Sequence, residues 1–273
     1  NAGNSIVSGG NYNVVVGDAA GTAITTGDKN VAVGFASAIN TTTASNNTAV
    51  GYYSLYANTT GDRNVAVGTN ALDANTVGTK NVAVGVDSLG TNTKGRRNVA
   101  LGDSALANQE PSSAIDMYNT AVGHGAGSSV TTGVLNTLVG GLAGDALTTG
   151  DNNIAIGYQA LSGDTQGDRN VAVGIQALLS QNFTSSTDVY NTAVGFAAGA
   201  SITTGVQNTL IGGRSGDSLT DADFNVAMGF EALAADTLGS KSTAIGFQAL
   251  QDQNFTSATD SLNTAMGYRA GAN

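Results

Sequence analysis

Few residues in this chain could carry acid–base, nucleophilic or metal chemistry, and their spacing leaves them little to do together. His124 is the only histidine among 273 residues, and cysteine is absent. Zinc and iron sites, and Ser-His or Cys-His nucleophile activation, therefore lack their parts. His124 follows a glycine at a position filled elsewhere by Tyr52, Tyr158 and Phe196, and reads as a surface substitute for an aromatic ring. Acids are more numerous, but Asp28, Asp62, Asp151 and Asp168 stand singly in expected turns. None has a second carboxylate held at the separation a glycosidase pair requires. No catalytic, cofactor or metal residue is assigned, and the chain is expected not to be an enzyme.

Three weaker patterns remain. Gly140-Gly-Leu-Ala-Gly-Asp-Ala-Leu147 and Gly212-Gly-Arg-Ser-Gly-Asp-Ser-Leu219 resemble the calcium-binding nonapeptide of secreted β-rolls, but that site needs tandem copies and these stand four repeats apart. A threonine column could form an ice-binding rank, yet the residue two further on is commonly glycine, so a second rank is missing. Asn182-Phe-Thr184 and Asn254-Phe-Thr256 fit a glycosylation acceptor pattern, which is short and therefore weak in a threonine-rich chain.

The elements that must position these residues are set by a repeat. A motif such as Asn64-Val-Ala-Val-Gly68 ends on a glycine that recurs from Gly17 to Gly267 in fifteen copies. Eleven of the fourteen intervals follow a 17-residue period, as from Gly17 to Gly34, and the other three a 21-residue one, as from Gly102 to Gly123. A fixed period of this length means one supersecondary unit stacked on itself. Counting from the motif glycine as position 0, position −3 is β-branched throughout, −1 is a larger aliphatic, and −2 is alanine except at Val15, Leu138 and Leu210. Alternation of β-branched residues bounded by Asn and Gly predicts a short strand. Position +3 is always Ala or Ser and +4 is commonly Leu, which predicts a second short strand folded back after the glycine. Position +8 is Thr in every 17-residue coil, and the motif opens on Asn at −4, with Ser242 as a departure. Stacked at about 4.8 Å, fifteen coils would build a rod of about 70 Å with asparagine and threonine ladders along it.

With −1 and −3 taken to face the interior, the alanine between them faces outward. An uninterrupted outward stripe of small apolar residues predicts a partner surface that admits close backbone approach, and hence a homotrimer. The alternative is a monomer whose three-sided coil buries both faces.

The 21-residue intervals recur at every fourth coil, between Gly102 and Gly123, Gly174 and Gly195, and Gly246 and Gly267. The extra residues are read as loops displayed on one edge, where binding residues concentrate on a rigid scaffold. The candidate contact residues are Gln109, Glu110 and Pro111 in the first loop, Asn182 and Phe183 in the second, and Asn254 and Phe255 in the third.

Composition limits the partners. A net charge of −10 opposes nucleic-acid binding and an anionic membrane surface. No apolar run is long enough to span a bilayer. With 38 glycines, one proline and 41% apolar residues in strict register, a single continuous β-solenoid domain over 1–273 is expected rather than disorder. The opening at Asn1 without Met and the stop inside a repeat at Asn273 suggest a section of something longer.

The run Asn47-Thr-Ala-Val-Gly-Tyr-Tyr-Ser-Leu-Tyr-Ala-Asn-Thr-Thr-Gly61 is similar to repeats of bacteriophage tail fibres and bacterial surface proteins, and the motif core resembles the head repeats of trimeric autotransporter adhesins. The resemblance covers essentially the whole chain, although the adhesin heads run on a shorter period. It implies an all-β solenoid, of β-roll or β-helix type, in a homotrimeric fibre on a virion or cell surface. The expected function is a structural shaft or head that displays contact loops for host or surface attachment. The alternatives are a module binding glycan, surface polymer or a host-surface protein, and a self-assembling extracellular filament subunit.

Overall fold

The computed structural model describes residues 1–272 as an all-β parallel solenoid of about fifteen coils. Among the described residues there is no helix, and so none long and apolar enough to cross a membrane. Two compact units divide the chain, 1–135 and 136–273. The sequence repeat crosses that boundary without interruption, because Asn136 opens an ordinary 17-residue motif.

Each motif forms one three-residue strand. The first unit holds Val14–Val16, Val31–Val33, Thr48–Val50, Val65–Val67, Val82–Val84, Val99–Leu101 and Thr120–Val122. The second holds Thr137–Val139, Ile154–Ile156, Val171–Val173, Thr192–Val194, Thr209–Ile211, Val226–Met228, Thr243–Ile245 and Thr264–Met266. Within each unit successive strands pair in parallel with like residues level, as in Val65↔Val82 and Ala66↔Ala83. The motif glycine ends the strand and cannot be replaced. Gly68 has φ +136°, and a Cβ there would lie 2.5 Å from the carbonyl oxygen of Gly85 in the next coil.

The expected second strand is absent. Residues after the glycine form a tight turn in which +2 and +4 are left-handed, for example Asn70 at φ 54° and Leu72 at 51°. Strand backbone needs φ near −120°, so the regularity of +3 and +4 belongs to a turn instead. Coil-to-coil hydrogen bonds hold these left-handed residues. The Asn70 N–H donates back to Tyr52 O at 3.0 Å, and the Leu72 N–H donates forward to Ser88 O at 3.0 Å. A left-handed non-glycine residue costs on the order of 1 kcal/mol. Full burial of a leucine contributes roughly 1.5–3 kcal/mol, which accounts for leucine at +4.

The strand faces are the reverse of the sequence expectation. The small residue at −2 is the buried one, with Ala32, Ala66, Ala100 and Ala172 at 0% exposure, and the residues at −3 and −1 point out. The interior of a 17-residue coil is narrow. It is already occupied by Asn at −4, Ala or Ser at +3, and the side chains at +4 and +7. Where +4 is leucine, only a methyl group fits opposite them.

Two core fillings share this space. Where +4 is leucine, +7 is polar, as in Leu55 with Asn58, Leu72 with Asn75 and Leu161 with Asp164; where +4 is glycine, +7 is aliphatic, as in Gly21 with Ile24, Gly144 with Leu147 and Gly216 with Leu219. A Cβ on Gly144 would lie 2.9 Å from Leu147 Cδ1 and 2.8 Å from Leu138 Cδ2. Leu138 and Leu210, the large residues at −2, stand where their own coil and the preceding one both have glycine at +4. The same volume is filled from a different point on the backbone.

The asparagine ladder is present and buried, but mostly as side chain to backbone rather than amide to amide. The Asn64 N–H donates to Asn47 Oδ1 at 2.8 Å, while Asn64 Nδ2 donates to Gly78 O at 2.9 Å. Direct amide pairs occur at intervals, such as Asn98 Nδ2 to Asn81 Oδ1 at 3.1 Å. Threonine hydroxyls at +8 donate to the next coil's carbonyl, Thr59 to Thr76 O at 3.1 Å. Hydroxyl protons committed in this way are not available to order water in a rank. Turn acids act likewise: Asp62 Oδ1 accepts from the Ser45 N–H at 2.6 Å, and Asp168 Oδ1 from the Asp151 N–H at 2.7 Å.

Candidate interaction surfaces

Two surfaces could meet a partner: the outer face of the sheet and the loops of the long coils. The sheet face follows from the strand orientation just described. Positions −3 and −1 point away from the core, and +1 lies beside them. In the first unit Val14, Val16, Phe35, Tyr52, Val84 and Val86 are exposed, and the remaining −3 and −1 residues are mostly half-buried by their neighbours along the stack. In the second unit Ile154, Ile156, Tyr158, Ile175, Phe196 and Met228 are exposed. Aromatic rings at +1 stack coil on coil: Phe35 on Tyr52 with centroids 5.4 Å apart, and Phe230, Phe247 and Tyr268 at 5.6 and 5.3 Å. Tyr53 and Tyr56 extend the first cluster, and the Tyr52 hydroxyl beside Tyr53 raises that phenol's pKa. The apolar stripe therefore exists, but larger residues form it than the alanines expected. His124 takes its place in the +1 column, exposed, with Nδ1 3.5 Å from Asp103.

Each long coil separates anchors from an exposed tip. Gln109, Glu110 and Pro111, with their counterparts from Gln181 and from Gln253, occupy +7 to +9. Of the seven candidate contact residues, Gln109, Pro111 and Phe183 are buried, Glu110 and Phe255 are partly buried, and only Asn182 and Asn254 are exposed. The buried members hold the loop. In the second loop, Asp164 receives three hydrogen bonds: from the Gly167 N–H at 3.0 Å, the Phe183 N–H at 3.1 Å and Gln181 Nε2 at 2.6 Å. Gln181 Oε1 then accepts from Asn191 Nδ2 at 2.8 Å, tying the anchor into the asparagine ladder. Asp236, Gln253, Phe255 and Asn263 repeat the arrangement.

The first loop uses neutral Asn92 in place of the carboxylate. Its Oδ1 accepts from the Gly95 N–H at 3.0 Å and from Gln109 Nε2 at 3.2 Å. Pro111 stands where Phe183 supplies an N–H, so one donor fewer has to be satisfied. Glu110 compensates from the next position, accepting from Thr93 N at 2.8 Å and Thr93 Oγ1 at 2.5 Å.

At the far side of each loop a basic residue at −5 meets an acid. Arg97 pairs with Asp116 at 2.9 Å and lies 5.4 Å from the Tyr118 ring centroid. Arg169 pairs with Asp188 and lies over Tyr190 at 5.7 Å. Lys241 pairs with Asp260 at 2.5 Å where the ring position is Leu262. Arginine accompanies the aromatic ring and lysine the aliphatic, as the stacking capacity of guanidinium requires. The exposed tips are residues 112–116, 184–186 and 256–258. The anchors are legible in the sequence as Asn92, Asp164 and Asp236, each one coil before its loop glutamine, a relation that a search for exposed loop residues passes over.

Among the described residues there is no group of three or more His, Cys, Asp or Glu able to hold a metal. In the two near-nonapeptides the acids are engaged locally, Asp145 with Ser162 Oγ at 2.5 Å and Asp217 with Arg214 at 2.9 Å. The fold and its surfaces define a parallel β-solenoid repeat protein. No family model, curated protein or solved structure matches the chain.

Proposed function

We propose that the chain is a structural element of an extracellular fibre, on a virion tail or a cell surface, and that three copies associate through the outer faces of their sheets. The observation that carries this reading is the open, largely apolar face, with an aliphatic column at −1, valine, isoleucine or threonine at −3, and runs of aromatic rings at +1. Water contact over such a face is unfavourable, and continuous patches of this kind mark association sites. At about 4.8 Å per strand and about 10 Å across, each unit's face offers roughly 350 Å² in projection, so both units would have to contribute to approach the roughly 800 Å² per partner of a standard interface. A threefold arrangement is also what the resemblance to trimeric adhesin heads implies. Association would leave the long-coil tips free to meet a surface, and repeated weak contacts would add by avidity.

Light scattering after size exclusion, on the full chain, tests the reading. The expected result is a trimer that Val67→Lys with Val84→Lys converts to a monomer with an unchanged circular dichroism spectrum. A monomeric parent chain at micromolar concentration would overturn it. The exposed tips favour a second reading, a glycan- or polymer-binding module. It requires that removing residues 112–116, 184–186 and 256–258 together abolish surface binding while assembly persists. Neither reading includes catalysis, and a glycan-cleavage assay on the full chain checks that directly.

A further inference from the structure

At the corner where +2 of one coil meets +5 and +6 of its neighbours, the two units carry the same acid pair with different companions. In the second unit Asp217 at +5 and Glu231 at +2 of the next coil flank Arg214 at +2. Arg214 Nε donates to Asp217 Oδ2 at 2.9 Å, and its NH1 lies 3.7 Å from Glu231 Oε1. Both acids are largely buried, and their attraction raises the Arg214 pKa further. A guanidinium from within the chain thus fills part of this corner, where a smaller open space of about 220 Å³ remains and Gln248 and Gln251 also donate to Glu231 Oε2, each at 2.9 Å.

The first unit places Asp73 and Asp87 at the same two positions, but Asn70 stands where Arg214 would be. Asn70 Nδ2 reaches Asp87 Oδ1 at 3.0 Å, and among the described residues neither acid has an ion-pair partner. Gly90 at +5 of the following coil removes a side chain from the wall. An ideal Cβ there would lie 3.5 Å from Asp73 Oδ1, so the carboxylate borders the resulting space. The result is an open pit of about 470 Å³ lined by Asp73, Asp87, Gly90, Thr91, Ala74 and Ala107. Burial, with a smaller contribution from Asp87, raises the Asp73 pKa, as expected for a carboxylate lacking the cation its counterpart has.

We propose that this pit receives the guanidinium group of an arginine from a partner chain, seated between Asp73 and Asp87 as Arg214 is seated between Asp217 and Glu231. The planar fork of a guanidinium can bond two carboxylates at once, and the alanine walls suit its apolar stem. A calcium ion would need six to eight oxygen ligands, whereas beside its two carboxylates the pit has only Asn108 and Thr91, whose hydroxyl is already bonded to Ala107 O at 2.9 Å. The site lies at the turn positions +2 and +5, which Tyr53 and Tyr56 occupy in an earlier coil beside the +1 column, and it stands on its own residues without the fibre reading.

Amide chemical shifts of the full chain, titrated with methylguanidinium chloride against sodium chloride at equal ionic strength, provide the test. Saturable shifts at Gly90 and Thr91 are expected in the millimolar range, weakened on the order of tenfold by Asp73→Asn or Asp87→Asn. Asn70→Arg, which places an internal guanidinium as in the second unit, should abolish the response while leaving the remaining spectrum in place. Shifts that match the sodium chloride control, or that persist unchanged in Asp73→Asn and Asn70→Arg, would overturn the proposal. Saturation by calcium with none by methylguanidinium would overturn it equally.

Discussion

The two units build the same backbone and fill it differently. In the first, four successive coils, at Gly51, Gly68, Gly85 and Gly102, carry leucine at +4 above Asn58, Asn75, Asn92 and Gln109 at +7. Those amides form an internal column, with Asn75 Nδ2 donating to Asn58 Oδ1 at 2.9 Å and Gln109 Nε2 to Asn92 Oδ1 at 3.2 Å. In the second unit the fillings mostly alternate in pairs. The coils at Gly157 and Gly174 are of the leucine kind, those at Gly195 and Gly212 of the glycine kind, and the leucine kind returns at Gly229 and Gly246. Each leucine pair has a carboxylate beneath its loop glutamine, Asp164 or Asp236, where the first unit has Asn92. A coil therefore fixes the total volume and the number of buried donors to be met, and leaves open which residue meets them.

The largest effect expected from disturbing this contrast is at the buried carboxylate. Asp164→Ala leaves two backbone N–H groups and the Gln181 amide unpaired and should cost about 3–5 kcal/mol. Asn92→Ala, with one donor fewer at Pro111, should cost about 1–3 kcal/mol. Urea unfolding midpoints of the two variants decide whether the units differ as described, and equal losses would contradict it.

Changing one filling into the other gives the next effect. Gly144→Leu drives a side chain into Leu138 and Leu147 and should destabilise by about 2–3 kcal/mol. Adding Leu138→Ala and Leu147→Asn reproduces the leucine filling and should recover most of the loss, so thermal unfolding of the single and triple variants should be clearly non-additive. A smaller gain is expected at the third loop. Lys241→Arg with Leu262→Tyr copies Arg169 over Tyr190 and should add about 0.5–1 kcal/mol, more than the sum of the single changes.

The smallest expected effect is a pH dependence at Asp73. Because burial raises its folded pKa, the neutral carboxyl is the form the fold favours. Its contribution to stability is complete below the ordinary value of 3.8 and is lost as pH rises through the folded value. Asp73→Asn should remove this slope from the urea midpoint measured across the acidic range, and Asn70→Arg should reduce it by supplying an opposite charge.

Much of the architecture is legible without coordinates. The glycine period locates the fifteen three-residue strands, because only glycine can turn there against the carbonyl of the next coil. It does not locate the two-residue pairs Gly167–Asp168 with Thr187–Asp188 and Gly239–Ser240 with Thr259–Asp260 at the long coils. The −4 asparagine marks the buried ladder, and the recurrence of 21-residue intervals marks the loops. The seven loop candidates are less legible. Gln109, Pro111 and Phe183 read as display residues by their place in an insertion, but Gln109 and the Phe183 N–H are taken up by Asn92 and Asp164 from the coil before. A contact reaching back a whole coil carries no local signature.

The facing of the strands is settled by packing alone. Alternation at −3, −2 and −1 states that two faces differ, and it is symmetric with respect to which of them is inside. Greater hydrophobicity argues for burying valine, but the volume within one coil admits only alanine once the +3, +4, +7 and −4 side chains are in place. The turn at +2 and +4 is decided in the same way. Leucine has no intrinsic preference for a left-handed backbone, and Leu72 adopts it because the hydrogen bonds and the burial there exceed its local cost. Period and register are properties of the chain's own covalent repeat, whereas inside and outside depend on the volume that neighbouring coils leave.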